Sequence, residues 1–242
     1  MQDLGMTKLL DEATMDRLTT AVVALDPKPR ERRWVSLSFA ITDAVWSIGA
    51  GYASTVVPLV YRVALQFDVT EPSVAASTPS SEDPVPLRMF ADRFDVASLL
   101  ESANKQRTST GAGGILKAKA VLEHVEIFRA EGIETLDDAR QLLEDKSRFE
   151  RVDSALRSVA GEGSHGVRRG YLWMLIGDDH RIKPDRMVLR WFRRQGVDIA
   201  VCDAAALVHE LVARINRIPG RAAPTTAWEL DHAMWNAGRQ RL

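Results

Sequence analysis

The sequence contains a single cysteine, Cys202, among its 242 residues. One thiol cannot form an intrachain disulfide, and it cannot supply the four thiolates of an iron–sulfur cluster. The five histidines lack the spacing of a zinc site such as His-Glu-x-x-His. Because 45% of the residues are apolar, a chain of this length can bury a sizeable hydrophobic core. We therefore expect a core-stabilised protein without a metal centre.

Long uncharged runs are scarce as well. One run, Ala44–Tyr61, is long enough to span a membrane, but it contains serine, glycine and proline and is more typical of two buried helices joined at its glycines. The segment Met1–Leu10 lacks the basic-then-apolar layout of a secretion signal. We therefore expect a soluble, cytoplasmic protein that does not bind a membrane.

No stretch alternates apolar and polar residues as a half-buried strand does, whereas apolar residues recur at helical spacing. The sequence predicts helices at residues 7–25, 33–49, 54–67, 87–91, 95–104, 115–130, 135–145, 151–159, 167–177, 184–192, 203–218 and 225–239. Between them, Val69–Leu87 holds four prolines among small polar residues. This segment is typical of a flexible loop or of an insertion with its own role, such as a lid. The predicted fold class is all-α.

The chain has no large excess of positive or negative charge, because its formal net charge is −1. This value excludes a chain that binds polyanions over its whole surface. Residues 151–200 nevertheless carry ten Arg or Lys against six Asp or Glu. A local basic face can hold DNA in one orientation, and the same residues also suit a solvated helix face.

The most informative stretch extends from Val159 to Phe192. A Gly-x-Gly turn, Gly161-Glu162-Gly163, separates two helical patterns, and backbone N–H groups at such a helix N-terminus suit a phosphate. Pro184-Asp185 then opens a third helix and presents one carboxylate at its start. The Pro-Asp pair is also a good helix N-terminus in its own right, so the residues alone leave a catalytic and a capping role open.

These residues resemble the helix-hairpin-helix DNA glycosylase superfamily, which includes endonuclease III. The family pattern Leu-Pro-Gly-Val-Gly matches Val159-Ala160-Gly161-Glu162-Gly163, and Val-Asp-Thr-His-Val-x-Arg-Val matches Pro184-Asp185-Arg186-Met187-Val188-Leu189-Arg190-Trp191. An upstream glycine, a short helix and a Lys-Ala pair are similar to the segment 114–120. The likeness covers residues 34–200 and preserves the order of the elements.

The resemblance implies a two-lobed helical fold with the active-site cleft between the lobes. One lobe would combine residues 1–68 with residues 200–242, and the other would span residues 88–199 and carry the hairpin. The flexible loop or insertion would occupy residues 69–87.

The family's catalytic aspartate lands on Asp185. Breaking an N-glycosidic bond develops oxocarbenium-like charge on the sugar, and a fixed carboxylate can stabilise that charge and orient or deprotonate a water. The Schiff-base lysine of the bifunctional members would fall near Ser164 or His165, where this chain has no lysine. The resemblance therefore implies a monofunctional enzyme that leaves an abasic site.

Trp46, Tyr52 and Trp173 are the expected base-pocket residues, because they lie in the segments that would meet near Asp185 and a flipped-out base stacks on aromatic rings. Aromatic residues at helical spacing are more often part of a core, and this is the alternative. Gly49 stands where the family has a long polar residue. We therefore hypothesise a roomier pocket that accepts a large modified base.

The resemblance also indicates the contacts to the DNA backbone. The expected residues are Gly161, Gly163, His165, Arg168, Arg169, Lys183 and Arg186. Glu162 at the hairpin tip adds a negative charge that should weaken the anion site, and solvated surface is the alternative for the two adjacent arginines. The family's hairpin often holds a monovalent cation, which would be optional here; no other cofactor is implied.

The implied partner is double-stranded DNA, bound by a nucleoid-associated monomer. The implied role is base excision repair or defence against modified phage DNA. Two alternatives remain open from the sequence. The first is a non-catalytic helix-hairpin-helix DNA-binding protein, which Glu162 and Gly49 motivate; the second is an interaction protein that uses the same helices without nucleic acid.

Overall fold

The structure is a computed structural model and describes residues 10–111, 113–161, 166–220 and 223–240. In chain order its helices are α1 Glu12–Ala24, α2 Leu37–Trp46, α3 Val57–Leu65, α4 Leu87–Arg93, α5 Val96–Ser102, α6 Lys117–Ala130, α7 Leu136–Leu142, α8 Lys146–Arg157, α9 Val167–Ile176, α10 Arg186–Arg194, α11 Val201–Asn216 and α12 Ala227–Arg239. The strands of the described residues are two three-residue segments, β1 Arg32–Trp34 and β2 Ser73–Ala75. The predicted all-α class is confirmed.

The chain forms two compact units. We call residues 30–178 the middle unit, and residues 1–29 together with 179–242 the terminal unit. The expected lobes grouped α2 and α3 with the chain termini and α10 with the hairpin. In the structure, α2 and α3 lie in the middle unit, and α10 lies in the terminal unit. The reason is the core: α2 and α3 supply much of the middle unit's apolar interior, whereas α10 packs with α1, α11 and α12.

Helix α2 is the centre of the middle unit. All ten of its residues are buried, and it packs against α6 and α9. A helix that is buried on every side must be enclosed by other elements. Its C-terminal end is closed by Lys117, whose buried ammonium donates to the carbonyls of Trp46 at 3.0 Å and Ile48 at 2.6 Å. A cation at this end of a helix binds orphan carbonyls and complements the helix dipole.

The proline-rich segment 69–87 lies between α3 and α4, and residues near each of its ends are hydrogen-bonded to the rest of the middle unit. Strand β2 within it pairs with β1 in antiparallel register. The buried carboxylate of Asp83 then accepts the N–H groups of Leu37 at 3.0 Å and Leu136 at 2.9 Å. One side chain thus satisfies orphan donors at the starts of both α2 and α7, which ties three parts of the unit together.

In the terminal unit, α10 and α12 pack at very close range. Gly238 of α12 lies against the backbone carbonyl of Met187, and a Cβ at this position would overlap that carbonyl. Arg190 and Arg194 of α10 donate to the last carbonyls of α12, at 3.3 Å to Gly238 and 2.9 Å to Ala237. The basic face of α10 therefore serves in part to close the end of its neighbour.

Within the ranges that the structure describes, the longest helix, α11, has 16 residues, and none of the helices combines the length and apolar character that crossing a membrane requires.

The close contact at Gly238 predicts that alanine at this position destabilises the protein, whereas helix propensity alone predicts that alanine stabilises it. In an unconstrained helix, alanine is more stable than glycine by about 1 kcal/mol. Because the added methyl would force α10 away from α12, we expect Gly238→Ala to lower the free energy of unfolding by about 1–3 kcal/mol. Urea denaturation measures this. The control is Ala233→Gly on the same helix, which should cost only the propensity difference, and a stabilised Gly238→Ala variant would refute the close contact.

Candidate active site

Asp185 is the N-cap residue of α10, and its side chain is half-buried. One carboxylate oxygen accepts the N–H of Met187 at 2.7 Å and, more distantly, that of Val188 at 3.4 Å. The other oxygen accepts the indole N–H of Trp235 at 3.1 Å. Three donors thus fix the carboxylate at the positive end of the helix dipole. An ionised carboxylate has about four acceptor sites, so capping leaves capacity for one more donor.

Helix α12 contacts the chain around Asp185 at regular intervals along one face. We call residues 179–187 the Asp185 segment. The contacts join Trp228 N–H to the Asp179 carbonyl at 3.0 Å, the Asp231 carboxyl to Lys183 N–H at 2.9 Å, the Trp235 indole to Asp185, and Gly238 to the Met187 carbonyl. Residues three and four apart lie on one helix face. A single helix face therefore sets the course of the segment that presents the carboxylate.

Asp231 is the buried member of this arrangement, with 5% of its surface exposed. Burial raises the pKa of its carboxyl to about 8, the N–H of Lys183 opposes the rise, and the negative charge of Asp185 adds to it. Asp231 therefore holds a proton at neutral pH. The site contains two carboxyl groups of unequal character, one buried and protonated, the other half-exposed at a helix start.

The two tryptophans expected in a base pocket belong to the core of the middle unit. Trp46 and Trp173 are completely buried. The Trp173 indole donates to Asp153 at 2.8 Å, and its ring packs against Phe128 and Phe149. A ring enclosed on all sides offers no face to a base, so we assign both residues to the core and correct the expectation drawn from the family.

Tyr52, the third expected pocket residue, is half-buried and begins a π-helical turn, Tyr52–Val56. Its hydroxyl donates to the buried carboxylate of Asp43 at 3.1 Å, which also accepts the Trp34 indole at 2.8 Å. Burial, followed by the charge of Asp43, holds the pKa of Tyr52 well above its usual range. In this arrangement Tyr52 acts as a hydrogen-bond donor within its own unit.

The start of the predicted hairpin lies against another glycine-rich segment. Gly161 has a φ of +84°, and a Cβ there would overlap the side chain of Thr108. The turn after α8 and the loop 105–114 are therefore in direct contact, and only glycine permits this approach. The other hairpin residues, Glu162, Gly163 and His165, lie outside the described residues.

The two arginines that follow the hairpin make contacts within the middle unit. Arg168 is 1% exposed, and its guanidinium donates to the carbonyls of Val159 at 3.0 Å and Ala160 at 3.3 Å. A buried guanidinium cannot reach a phosphate, which corrects the expected role of Arg168. Arg169 forms an ion pair with Asp153. Both side chains stabilise the end of α8 and its packing on α9.

Lys183 and Arg186, the remaining expected backbone contacts, lie in the terminal unit. The backbone N–H of the half-buried Lys183 bonds to Asp231, and its positive charge opposes the rise in the pKa of Asp231. Arg186 is the first residue of α10 and is exposed. Arg186 is therefore more exposed to solvent than Lys183, the other cation expected to contact DNA near the start of α10.

Sequence reasoning missed Asp231 and the contact of Trp235 with Asp185. The sequence did contain a signal for Asp231, because it is a charged residue type within the otherwise apolar face of the tail helix. A buried polar group of this kind usually has a hydrogen-bond partner. In the described ranges, no group of three or more His, Cys, Asp or Glu side chains has a metal-binding arrangement.

The raised pKa of Asp231 generates a pH-dependent prediction. The folded state keeps this proton up to about pH 8, whereas the unfolded chain releases it near the model value of 3.8. The stability that the proton provides is complete below pH 3.8 and is lost as the pH rises to about 8. Asp231→Asn removes this loss, so its stability relative to the native protein should rise across that window by up to about 1.4 kcal/mol per pH unit.

Chemical denaturation of both proteins at several pH values between about 5 and about 7.5, inside the window over which this proton is released, measures the difference. Asp198→Asn, which replaces an exposed carboxylate of the same unit, is the matched control. Parallel stability profiles for the native protein and Asp231→Asn would show that Asp231 does not hold a proton.

Comparison with known proteins gives a family and no activity. No curated protein matches the chain, and no solved structure matches it. One family model, described as a domain of unknown function (DUF8548), matches residues 13–239. Because this match covers nearly the whole sequence, the chain belongs to the DUF8548 family.

Proposed function

We propose that this protein is a monofunctional DNA N-glycosylase with the two-lobed helix-hairpin-helix glycosylase fold. In this proposal it flips a damaged or modified base out of double-stranded DNA and hydrolyses the bond between that base and its sugar. The observation that carries the proposal is the Asp185 carboxylate, which is half-exposed and held by three donors at the start of α10. The same proposal includes that the protein is a monomer located in the cytoplasm and associated with the nucleoid.

The proposed chemistry needs one carboxylate and one water. The C1′–N bond breaks, and its electron pair leaves on the base while positive charge develops on the sugar. The carboxylate of Asp185 stabilises that charge and accepts a proton from the attacking water, whose oxygen bonds to C1′. The departing base takes up a proton from solvent. A carboxylate already fixed by hydrogen bonds needs little reorganisation as the charge develops.

The glycine-rich loops of the middle unit support DNA as the substrate. The loop 105–114 carries exposed Lys105 and Arg107 and packs on the turn at Gly161. Small residues and cations in one loop suit close approach to a sugar–phosphate backbone. With Arg168 buried, we assign the backbone contacts of this unit to Lys105, Arg107 and the amides of the hairpin.

A non-catalytic DNA-binding protein is the second candidate. The observation that favours it is that Asp185 already acts as a complete N-cap, because its carboxylate accepts the backbone N–H groups of Met187 and Val188. Removal of an N-cap typically costs about 1 kcal/mol, which is reason enough to have aspartate at this position. The two candidates differ in whether the carboxylate also contacts a substrate.

Asp185→Asn separates the two candidates, because asparagine caps helices about as well as aspartate. Native protein and variant are incubated with duplexes that carry deaminated, alkylated, oxidised or bulky natural base modifications, and abasic sites are then cleaved by alkali. We expect the native protein to excise at least one base and Asp185→Asn to lower the single-turnover rate by about 100-fold or more, with DNA affinity retained.

Trp235→Phe is the companion variant, since it removes one hydrogen bond from the carboxylate without removing the charge; a smaller loss of rate is expected. Full excision by Asp185→Asn would exclude a catalytic role for Asp185. Salt-dependent DNA binding without excision of any base in the panel would favour the non-catalytic candidate.

The absence of a strand-nicking activity is a separate prediction. A Schiff-base mechanism needs an amine that reaches C1′. Lys117 is buried, and its ammonium donates to two backbone carbonyls, so this amine is not available to a sugar. We expect no covalent adduct when borohydride is added during turnover, and strand cleavage only after alkali. A trapped protein–DNA adduct would contradict the monofunctional assignment.

A further inference from the structure

Helix α12 carries a row of stacked side chains along one flank: Trp228, His232, Trp235 and Arg239. The rings of Trp228 and His232 lie 4.9 Å apart with their planes within 10° of parallel. The rings of His232 and Trp235 lie 6.2 Å apart, within 17° of parallel. The guanidinium carbon of Arg239 lies 4.3 Å from the centre of the Trp235 ring and closes the row.

This row lies at the surface of the terminal unit. His232 is exposed and both tryptophans are half-buried. In the described part of the chain, Trp228 belongs to neither hydrophobic core, and Trp235 touches its core only from the edge. The row thus differs from Trp46 and Trp173, which are completely enclosed.

The row is also fixed in position relative to Asp185. The indole N–H of Trp235 donates to the Asp185 carboxylate, and the backbone N–H of Trp228 donates to Asp179 at 3.0 Å. Two members of the row, Trp228 through its backbone and Trp235 through its indole, are therefore attached to the Asp185 segment. A flat ring held between the two indoles would lie beside the candidate catalytic carboxylate.

We propose that Trp228 and Trp235 form a slot that binds a nucleobase by stacking, and that the imidazole of His232 fills this slot until a base replaces it. The inference deepens the proposed glycosylase function and rests on it for the identity of the base as part of DNA.

Three physical features support the slot. The distances from the imidazole to both indoles fall in the range of stacked rings, about 4.5–7 Å, so a ring in its place has an aromatic surface on each side. His232 is exposed, so a ligand in solvent can approach the position of the imidazole. Arg239 adds a positive charge at the end of the row, which suits an aromatic ligand that carries a phosphate.

The test uses a duplex with a single 2-aminopurine opposite an abasic analogue, because this fluorescent base leaves the helix readily and loses its emission when it stacks. The native protein should quench it. Trp228→Leu should weaken binding of this duplex by about 5- to 150-fold, the usual loss for one stacked base. His232→Ala should strengthen binding by about threefold or more, because the slot no longer has to be vacated.

Asn236→Ala, which changes an exposed residue of α12 outside the row, is the matched control and should bind as the native protein does. A gain in affinity for His232→Ala cannot come from misfolding, so this variant keeps the test decisive if Trp228→Leu is unstable. Unchanged affinity and quenching in both variants would overturn the slot.

The slot and the glycosylase can fail separately. Excision by the native protein that neither Trp228→Leu nor His232→Ala alters would overturn the slot and leave the glycosylase standing. The predicted changes in binding without excision of any base would support the slot as a DNA-binding site and remove the catalytic role of Asp185.

Discussion

Close pairing between α12 and the Asp185 segment determines where the candidate carboxylate lies. One face of α12 is attached to nine consecutive residues, 179–187: Trp228 and Trp235 donate hydrogen bonds to this segment, Asp231 accepts one from it, and Gly238 lies against it. None of these contacts is strong alone, since a typical intramolecular hydrogen bond contributes about 1 kcal/mol net. Their common origin on one rigid helix makes them act together. A carboxylate at the end of a loop gains its orientation from this support.

The same pairing explains why a carboxyl group is buried at Asp231. The uncharged carboxyl can occupy an apolar site and still accept the Lys183 N–H, whereas an ionised one would add a second negative charge beside Asp185. An apolar residue at this position would leave the Lys183 N–H without its partner. Burial of a protonated acid therefore provides the Lys183 N–H with an acceptor and avoids a second negative charge in the buried site.

Many cations of this chain bind backbone carbonyls of their own unit. Lys117 closes α2, Arg168 closes α8, and Arg190 and Arg194 close α12. A local excess of basic residues predicts a DNA-binding face, but burial decides which of them a phosphate can reach. The sequence could not make this distinction, because Arg168 and Arg186 look alike until their neighbours in space are known.

Much of the helical fold could be predicted, because apolar periodicity and capping residues are local properties. Thr135 and Thr226 cap α7 and α12 with full capping boxes, and Asp185 caps α10 where its Pro-Asp sequence predicts. The grouping of helices into units could not be predicted, since it depends on which apolar faces meet. The tie at Asp83 and the pKa of Asp231 likewise arise from residues far apart in sequence.

The affinity for two abasic analogues in one duplex tests most directly whether Asp185 faces a reacting sugar. A cationic pyrrolidine carries the charge of the transition state and a tetrahydrofuran of similar shape does not, and enzymes bind such charged analogues about 100-fold or more tightly than uncharged ground states. The native protein should prefer the pyrrolidine by at least about tenfold, and Asp185→Asn should lose the preference while still binding tetrahydrofuran DNA. Equal affinity of the native protein for both analogues would contradict the account.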